Sequence, residues 1–253
     1  TLSNSSDAWF GFVGEVEVRI TVSETVDRFA LSPKSFDLKP VVSGRTITFT
    51  LNSPRKVILH GVNNLNEVLA VWADPLQENP PKPGDANVVD VLDKGANNTG
   101  AADATAIIQS AIDGLGPNRV LYFPAGTYKM TYLKLKSDMG MYLASNAVLE
   151  MTADDYAPML DIRNCNNVKV YGPGTINANG QQFSGGNESG NRKAMVIRNS
   201  GSNHSYVDFC IREPQIWAWI SESSDIGLIE NVKILTSHDG YNRDGIDPND
   251  WKR

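Results

Sequence analysis

The stretch Ser237-His238-Asp239-Gly240-Tyr241-Asn242-Arg243-Asp244-Gly245-Ile246-Asp247-Pro248 gathers three carboxylates, an imidazole and two glycines within a dozen residues. Such groups move protons: a carboxylate or histidine held beside a reacting bond acts as general acid or base. The stretch is too polar for a packed strand interior, so it has to stand on an exposed face. His238 beside Asp239 reads first as a polar loop histidine and second as a supporting acid–base pair. Asp239, Asp244 and Asp247 are acids that could hold Ca²⁺, but they lack the Asp/Asn-rich loop spacing of a calcium site. The Gly-rich Ser184-Gly185-Gly186-Asn187 has none of the sequence context of a phosphate cradle, and no motif asks for a cofactor.

What positions this stretch is a run of short apolar segments leading into it. From Val120 onward they recur between Asn, Ser and Gly turns, as in Val120-Leu121-Tyr122-Phe123, Ala147-Val148-Leu149-Glu150-Met151 and Val168-Lys169-Val170-Tyr171. Aligning the last apolar residue of successive units gives Leu149, Ile176, Ile211 and Ile234, spaced 27, 35 and 23 residues apart. The Gly- and Asn-rich insertion Asn177–Asn191 accounts for the long interval. A repeat in the low twenties, made of strands and turns without helices, predicts a parallel β-helix that coils once per repeat. An ordinary β-sandwich is the alternative. One helix is expected over 103–115, with Asp103 or Thr105 as its cap and Ile107, Ile108, Ala111, Ile112 and Leu115 on one face. That face suits the open end of a strand stack.

Ahead of it, Glu15–Val22 and Arg45–Leu51 alternate polar and apolar residues, the second placing Ile47, Phe49 and Leu51 on one side. With Arg55–His60 and Val68–Trp72 they predict a small β-sandwich over 1–75. The proline-rich segment 76–87 follows as an extended linker, and the β-helix takes 88–253.

The net charge of −6, with 23 basic and 29 acidic residues and no basic cluster, argues against nucleic acid or an anionic membrane as partner. No apolar run is long enough to span a bilayer. Four Asn-x-Ser/Thr sequons at Asn4, Asn97, Asn187 and Asn203 lie in polar, turn-like stretches, and the reading is of a secreted glycoprotein. Cys165 and Cys210 could be bridged or buried and reduced; the sequence leaves both open.

The runs Asp93-Lys94-Gly95-Ala96, Asp103–Ile112 and Val120-Leu121-Tyr122-Phe123-Pro124-Ala125-Gly126-Thr127-Tyr128 resemble the opening of pectin-lyase-like right-handed β-helix proteins. Leu133–Ser137, Tyr171-Gly172-Pro173-Gly174-Thr175-Ile176-Asn177 and Arg212-Glu213-Pro214-Gln215-Ile216-Trp217 resemble the same group, in particular the polygalacturonase-type glycoside hydrolases of family 28. The fold implied is all-β, a small N-terminal β-sandwich followed by a right-handed parallel β-helix that stops after a few coils. A β-domain placed before a β-helix is similar to the dextranase and isopullulanase group, so the polymer is pectin-like or a glucan.

In polygalacturonases an Asn-Thr-Asp-Gly-Ile-Asp-Pro stretch supplies the first catalytic carboxylate. Here it stands as Asn242-Arg243-Asp244-Gly245-Ile246-Asp247-Pro248, with Arg243 in place of Thr. The resemblance implies Asp244 as general base or partner to the acid, Asn242 as a substrate-positioning residue and Asp247 as a turn-ordering one. Trp217 and His238 are further candidate substrate contacts, read from their own chemistry. Trp217 and Trp219 are spaced to point the same way from a strand, where an aromatic face can stack on a sugar, and at least one is expected to be a packing residue. The Asp-Asp pair, Gly-His-Gly and Arg-x-Lys that complete the family's site do not follow Pro248. Asp154-Asp155 is the only adjacent pair and lies about four repeats too early. The expectation is therefore an inverting glycoside hydrolase fragment, inactive alone and completed by a companion C-terminal fragment. A polysaccharide lyase and a non-catalytic carbohydrate-binding β-helix are the other readings.

Overall fold

The structure, a computed structural model, describes residues 4–64, 67–153, 157–183, 195–236 and 244–250. The chain divides into two units, Thr1–Asn79 and Pro80–Arg253. In the first, Ile47, Phe49 and Leu51 alternate with polar residues and are all buried. They share one core with Val18, Val57, Leu59 and Val71, which come from both a three-stranded and a four-stranded sheet. The four-stranded sheet contains an unanticipated edge strand, Asn4–Phe12, parallel to Glu67–Pro75. That pairing takes Asp74 and Pro75 into the sheet.

Every strand pair in the second unit is parallel, and the strands form three faces. The first face runs through Leu133–Lys134, Leu160–Asn166, the start of Ile197–Val207, the start of Trp219–Glu230, and Ile246–Asn249. The second runs through Val88–Asp90, Arg119–Phe123, Met139–Leu143 and Val168–Tyr171, ending on the far halves of the two long strands. The third runs through Thr99–Asp103, Gly126–Met130, Ala147–Met151, Thr175–Asn177, Cys210–Arg212 and Lys233–Leu235. This is a parallel β-helix.

The column read from the sequence is a true column: Leu149 pairs in register with Ile176, Ile176 with Ile211 and Ile211 with Ile234. The first three are fully buried, and each such side chain contributes roughly 1.5–3 kcal/mol. Leu133, Leu160, Ile197 and Trp219 form a second buried column on the first face.

Beyond the first coil, length varies mainly at one corner. After the first coil, which turns through 91–98, second-to-third-face corners are short, at 124–125, 144–146, 172–174, 208–209 and 231–232. Third-to-first-face corners range from 131–132 through 152–159, 178–196 and 213–218 to 236–245. The irregular repeat in the sequence therefore arises where the chain enters the first face. The first-to-second-face corner is pinned by a polar ladder instead. Asn167 donates to Asp138 at 2.6 Å, and Asn203 donates to Asn167 at 2.7 Å. All three sit at positive φ, a conformation that Asn and Asp tolerate better than other side chains.

The helix spans Thr105–Asp113, shorter than 103–115, and buries Ile108, Ala111 and Ile112 in the β-helix core. Ile107 is off that face, 38% exposed, because four residues of a helical turn cannot all point one way. Ala104 occupies the N-cap position, and Asp103 accepts from the Thr105 N–H without capping the helix. The Thr105 hydroxyl accepts instead from the Thr131 N–H, fastening the helix to the corner before the first face. Cys165 and Cys210 are both buried and not disulfide-bonded; burial, its largest cause, pushes the Cys165 thiol pKa up.

Candidate active site

Strand alternation sorts the first face. Leu160, Ile162, Ile197 and Trp219 point into the core, so Asp161, Arg163, Arg198, Ile220, Glu222 and Asp247 lie on the outer side. Register stacks Lys134, Asp161, Arg198, Ile220 and Asp247 in one row across successive coils. Neighbouring coils are one strand spacing apart, about 4.8 Å, the right scale for side chains that jointly contact one sugar chain.

Asp244 is exposed and lies just before the last strand of that face. Its backbone carbonyl accepts from the Ala218 N–H at 2.9 Å. With Trp219 opposite Ile246, this register sets Trp217 one coil below Asp244. The half-buried Trp217 and the exposed Asp244 therefore belong to equivalent, stacked corners.

Trp219 does not share its role. It is fully buried, donates to Asn199 at 2.6 Å and meets the Tyr206 ring edge-on at 4.3 Å. The expected common direction fails because the strand begins at Trp219 and Trp217 lies in the preceding corner. Gln215 braces that corner from below. Its amide donates to the carbonyls of Ala153 and Ala178 at 3.1 and 3.2 Å, tying three successive corners together.

Sequence reading missed two ion pairs on the outer face. Arg163 grips Asp161 through Nε and Nη2 at 2.8 and 2.7 Å, and the Tyr132 hydroxyl donates to the same carboxylate at 3.0 Å. Burial would raise the Asp161 pKa, but the hydrogen bonds from Arg163 and Tyr132 outweigh it and hold the carboxyl below its usual value. Burial first, and then the hydrogen bond to Asp161, pushes the Tyr132 hydroxyl up to about 12. Arg198 grips Glu222 one coil on, through Nε and Nη2 at 3.0 and 2.6 Å. The available signal was positional: Asp161, Arg163 and Arg198 each sit beside a buried apolar residue in a strand of the repeat, and Glu222 sits beside the buried Ser221.

Asn242, His238, Asp239, Asn187 and the Asp154-Asp155 pair lie outside the described residues. Asn97 accepts from the N–H and hydroxyl of Thr99, the third residue of its sequon, and Asn203 is exposed on the corner ladder. Among the described residues no three acidic, His or Cys side chains gather as metal ligands, and no helix is long and apolar enough to cross a membrane.

The fold has solved counterparts. A Parabacteroides merdae protein assigned to the glycosyl hydrolases aligns with a TM-score of 0.57 and 17% identity, over 65% of this chain and 80% of its own. The family 28 exopolygalacturonase of Yersinia enterocolitica aligns with a TM-score of 0.52 and 17% identity, over 93% of this chain and 59% of its own. A hyperthermoactive exopolygalacturonase of Thermotoga maritima gives 0.52 and 18%, over 68% and 51%. At these identities the likeness is one of fold, and this chain spans little more than half the length of either exopolygalacturonase. No curated protein matches in sequence. The family described as rhamnogalacturonase A/epimerase, pectate lyase-like, matches residues 88–143. The glycosyl hydrolases family 28 pattern matches residues 118–253, more than half of the chain and the whole of the stacked face that ends at Asp244 and Asp247, and the protein belongs to that family.

Proposed function

We propose that the protein hydrolyses glycosidic bonds of a polysaccharide laid across the first face, with Asp244 as one of the two carboxyls required. The observation that carries this reading is the stacking of Asp244 on the Trp217 corner, beside an outer row that ends in Asp247. Glycoside hydrolysis needs one carboxyl to protonate the leaving oxygen and another to activate water or attack the sugar. In the inverting arrangement Asp244 polarises the water. A second carboxyl within reach of the same bond protonates the leaving oxygen. Trp217 offers an aromatic face to a sugar ring, and Asn242 and His238 are further candidate substrate contacts. The substrate is a pectin-like or glucan polymer. Secretion and glycosylation are supported by the four sequons.

Product analysis tests the reaction. New reducing ends without ultraviolet-absorbing unsaturation are expected, and unsaturated products would replace hydrolysis by elimination. Binding with no cleavage would favour a carbohydrate-binding role. Asp244→Asn should lower turnover by about 10²-fold or more, the usual range for losing a general base.

A further inference from the structure

We propose that the first face, over the coils of Arg163 and Arg198, takes an uncharged stretch of glycan rather than a polyuronate, and that Asp161 and Glu222 set this preference. The proposal rests on the hydrolase reading of the same face and names the substrate class for these coils.

A polyuronate presents a carboxylate on every sugar, and it is bound by guanidinium or ammonium groups whose charge is available. Here both outer-face arginines among the described residues are already committed. Arg163 and Arg198 each spend Nε and one Nη2 hydrogen on a carboxylate of the protein itself. An incoming uronate would have to displace Asp161 or Glu222, or approach them with like charge. Asp161 is the harder to displace, being buried and also held by Tyr132. Farther along, Asp247 ends the row next to Ile220, with no basic residue beside it among the described residues of the row. Lys134, on the first strand, is the cation at the opposite end.

The same pairs suit hydroxyl groups. A guanidinium has five N–H donors, so each arginine keeps three after gripping its partner. The carboxylates keep acceptor lone pairs. A sugar hydroxyl both donates and accepts, and a paired Arg–carboxylate offers it both functions at no net charge. Arg163, Arg198 and Glu222 are within reach, with side chains 38%, 25% and 30% exposed.

Equilibrium binding to the Asp244→Asn protein tests this without cleavage. The probes are trigalacturonate, its fully methyl-esterified form, and isomaltotriose. At least one neutral trimer should bind more tightly than trigalacturonate by about fivefold or more, the size of one partly screened charge interaction. Glu222→Gln should raise trigalacturonate affinity by a similar factor, with the gain lost at high salt and in the Glu222→Gln, Arg198→Gln double variant. Unchanged thermal unfolding of the variants verifies that they are folded. Tighter binding of trigalacturonate by the protein with Glu222 intact overturns the proposal, and so does a gain that survives without Arg198. Binding of none of the probes overturns it too. In each case, Asp244-dependent release of reducing ends by the unsubstituted protein would leave the hydrolase reading standing.

Discussion

The side-chain amide of Gln109 meets the backbone of Lys134 twice, donating to its carbonyl at 3.1 Å and accepting from its N–H at 2.9 Å. Lys134 lies on the terminal strand of the first face, whose open edge would otherwise present unpaired backbone groups. A helix cannot continue a strand ladder, but one amide side chain can imitate it. Gln109→Ala should therefore lower stability by about 1–2 kcal/mol, and Gln109→Glu should do so as well, since it loses the donor. Urea unfolding midpoints measure both.

Gln215 braces the corner that carries Trp217. Gln215→Leu removes the two bonds to Ala153 and Ala178 while keeping the volume. The expected result is weaker oligosaccharide binding and altered Trp217 fluorescence, with far-ultraviolet circular dichroism unchanged. A Gln215→Asn variant that restored neither would match the loss of reach in the shorter amide.

Two groups give the stability a defined dependence on acidity. Asp161 is held below its usual pKa of 3.8, so its contribution is present above that value and is lost as the pH falls through the lower folded value. His204 is fully buried, and burial lowers its pKa below 6.5; its Nε2 hydrogen-bonds the Ser200 carbonyl. The unfolded imidazole takes up a proton below pH 6.5 when the folded one does not, so stability should decline below that pH by at most about 1.4 kcal/mol per pH unit. Denaturant unfolding from pH 7.5 to 2.5 should show both windows. His204→Leu should remove the upper one and Asp161→Asn the lower.

Gly201 cannot carry a side chain. Its φ is +112°, and a Cβ there would stand 1.8 Å from the Cys165 carbonyl oxygen. Gly201→Ala should prevent the coils from stacking at this corner and abolish soluble expression. Ile176→Ala, a cavity in the column Leu149–Ile176–Ile211, should instead leave a folded protein destabilised by about 2–5 kcal/mol.

The column of Leu149, Ile176, Ile211 and Ile234 was legible in the sequence because burial repeats with every coil and the apolar residues mark it. The string around Asp244 was recognisable in the sequence, and Asp244 is exposed just before Ile246–Asn249. The Arg198–Glu222 pair was not. Its partners stand in different repeats, and only strand register, which depends on how much chain each corner extrudes, brings them together. Trp219 was half legible: alternation gives its spacing from Trp217, but not the residue at which the strand begins.

The concentration of length variation at one corner beyond the first coil has an evolutionary reading. Corners 152–159, 178–196, 213–218 and 236–245 all deliver the chain to the first face, and the last two hold Trp217 and Asp244. Insertions or deletions there change what stands beside the carboxylate, yet no strand need change its register and no core side chain its partner. A lineage can therefore retune its choice of polymer by editing these segments one at a time, and a chimera that exchanges 178–196 between relatives should fold as readily as either parent.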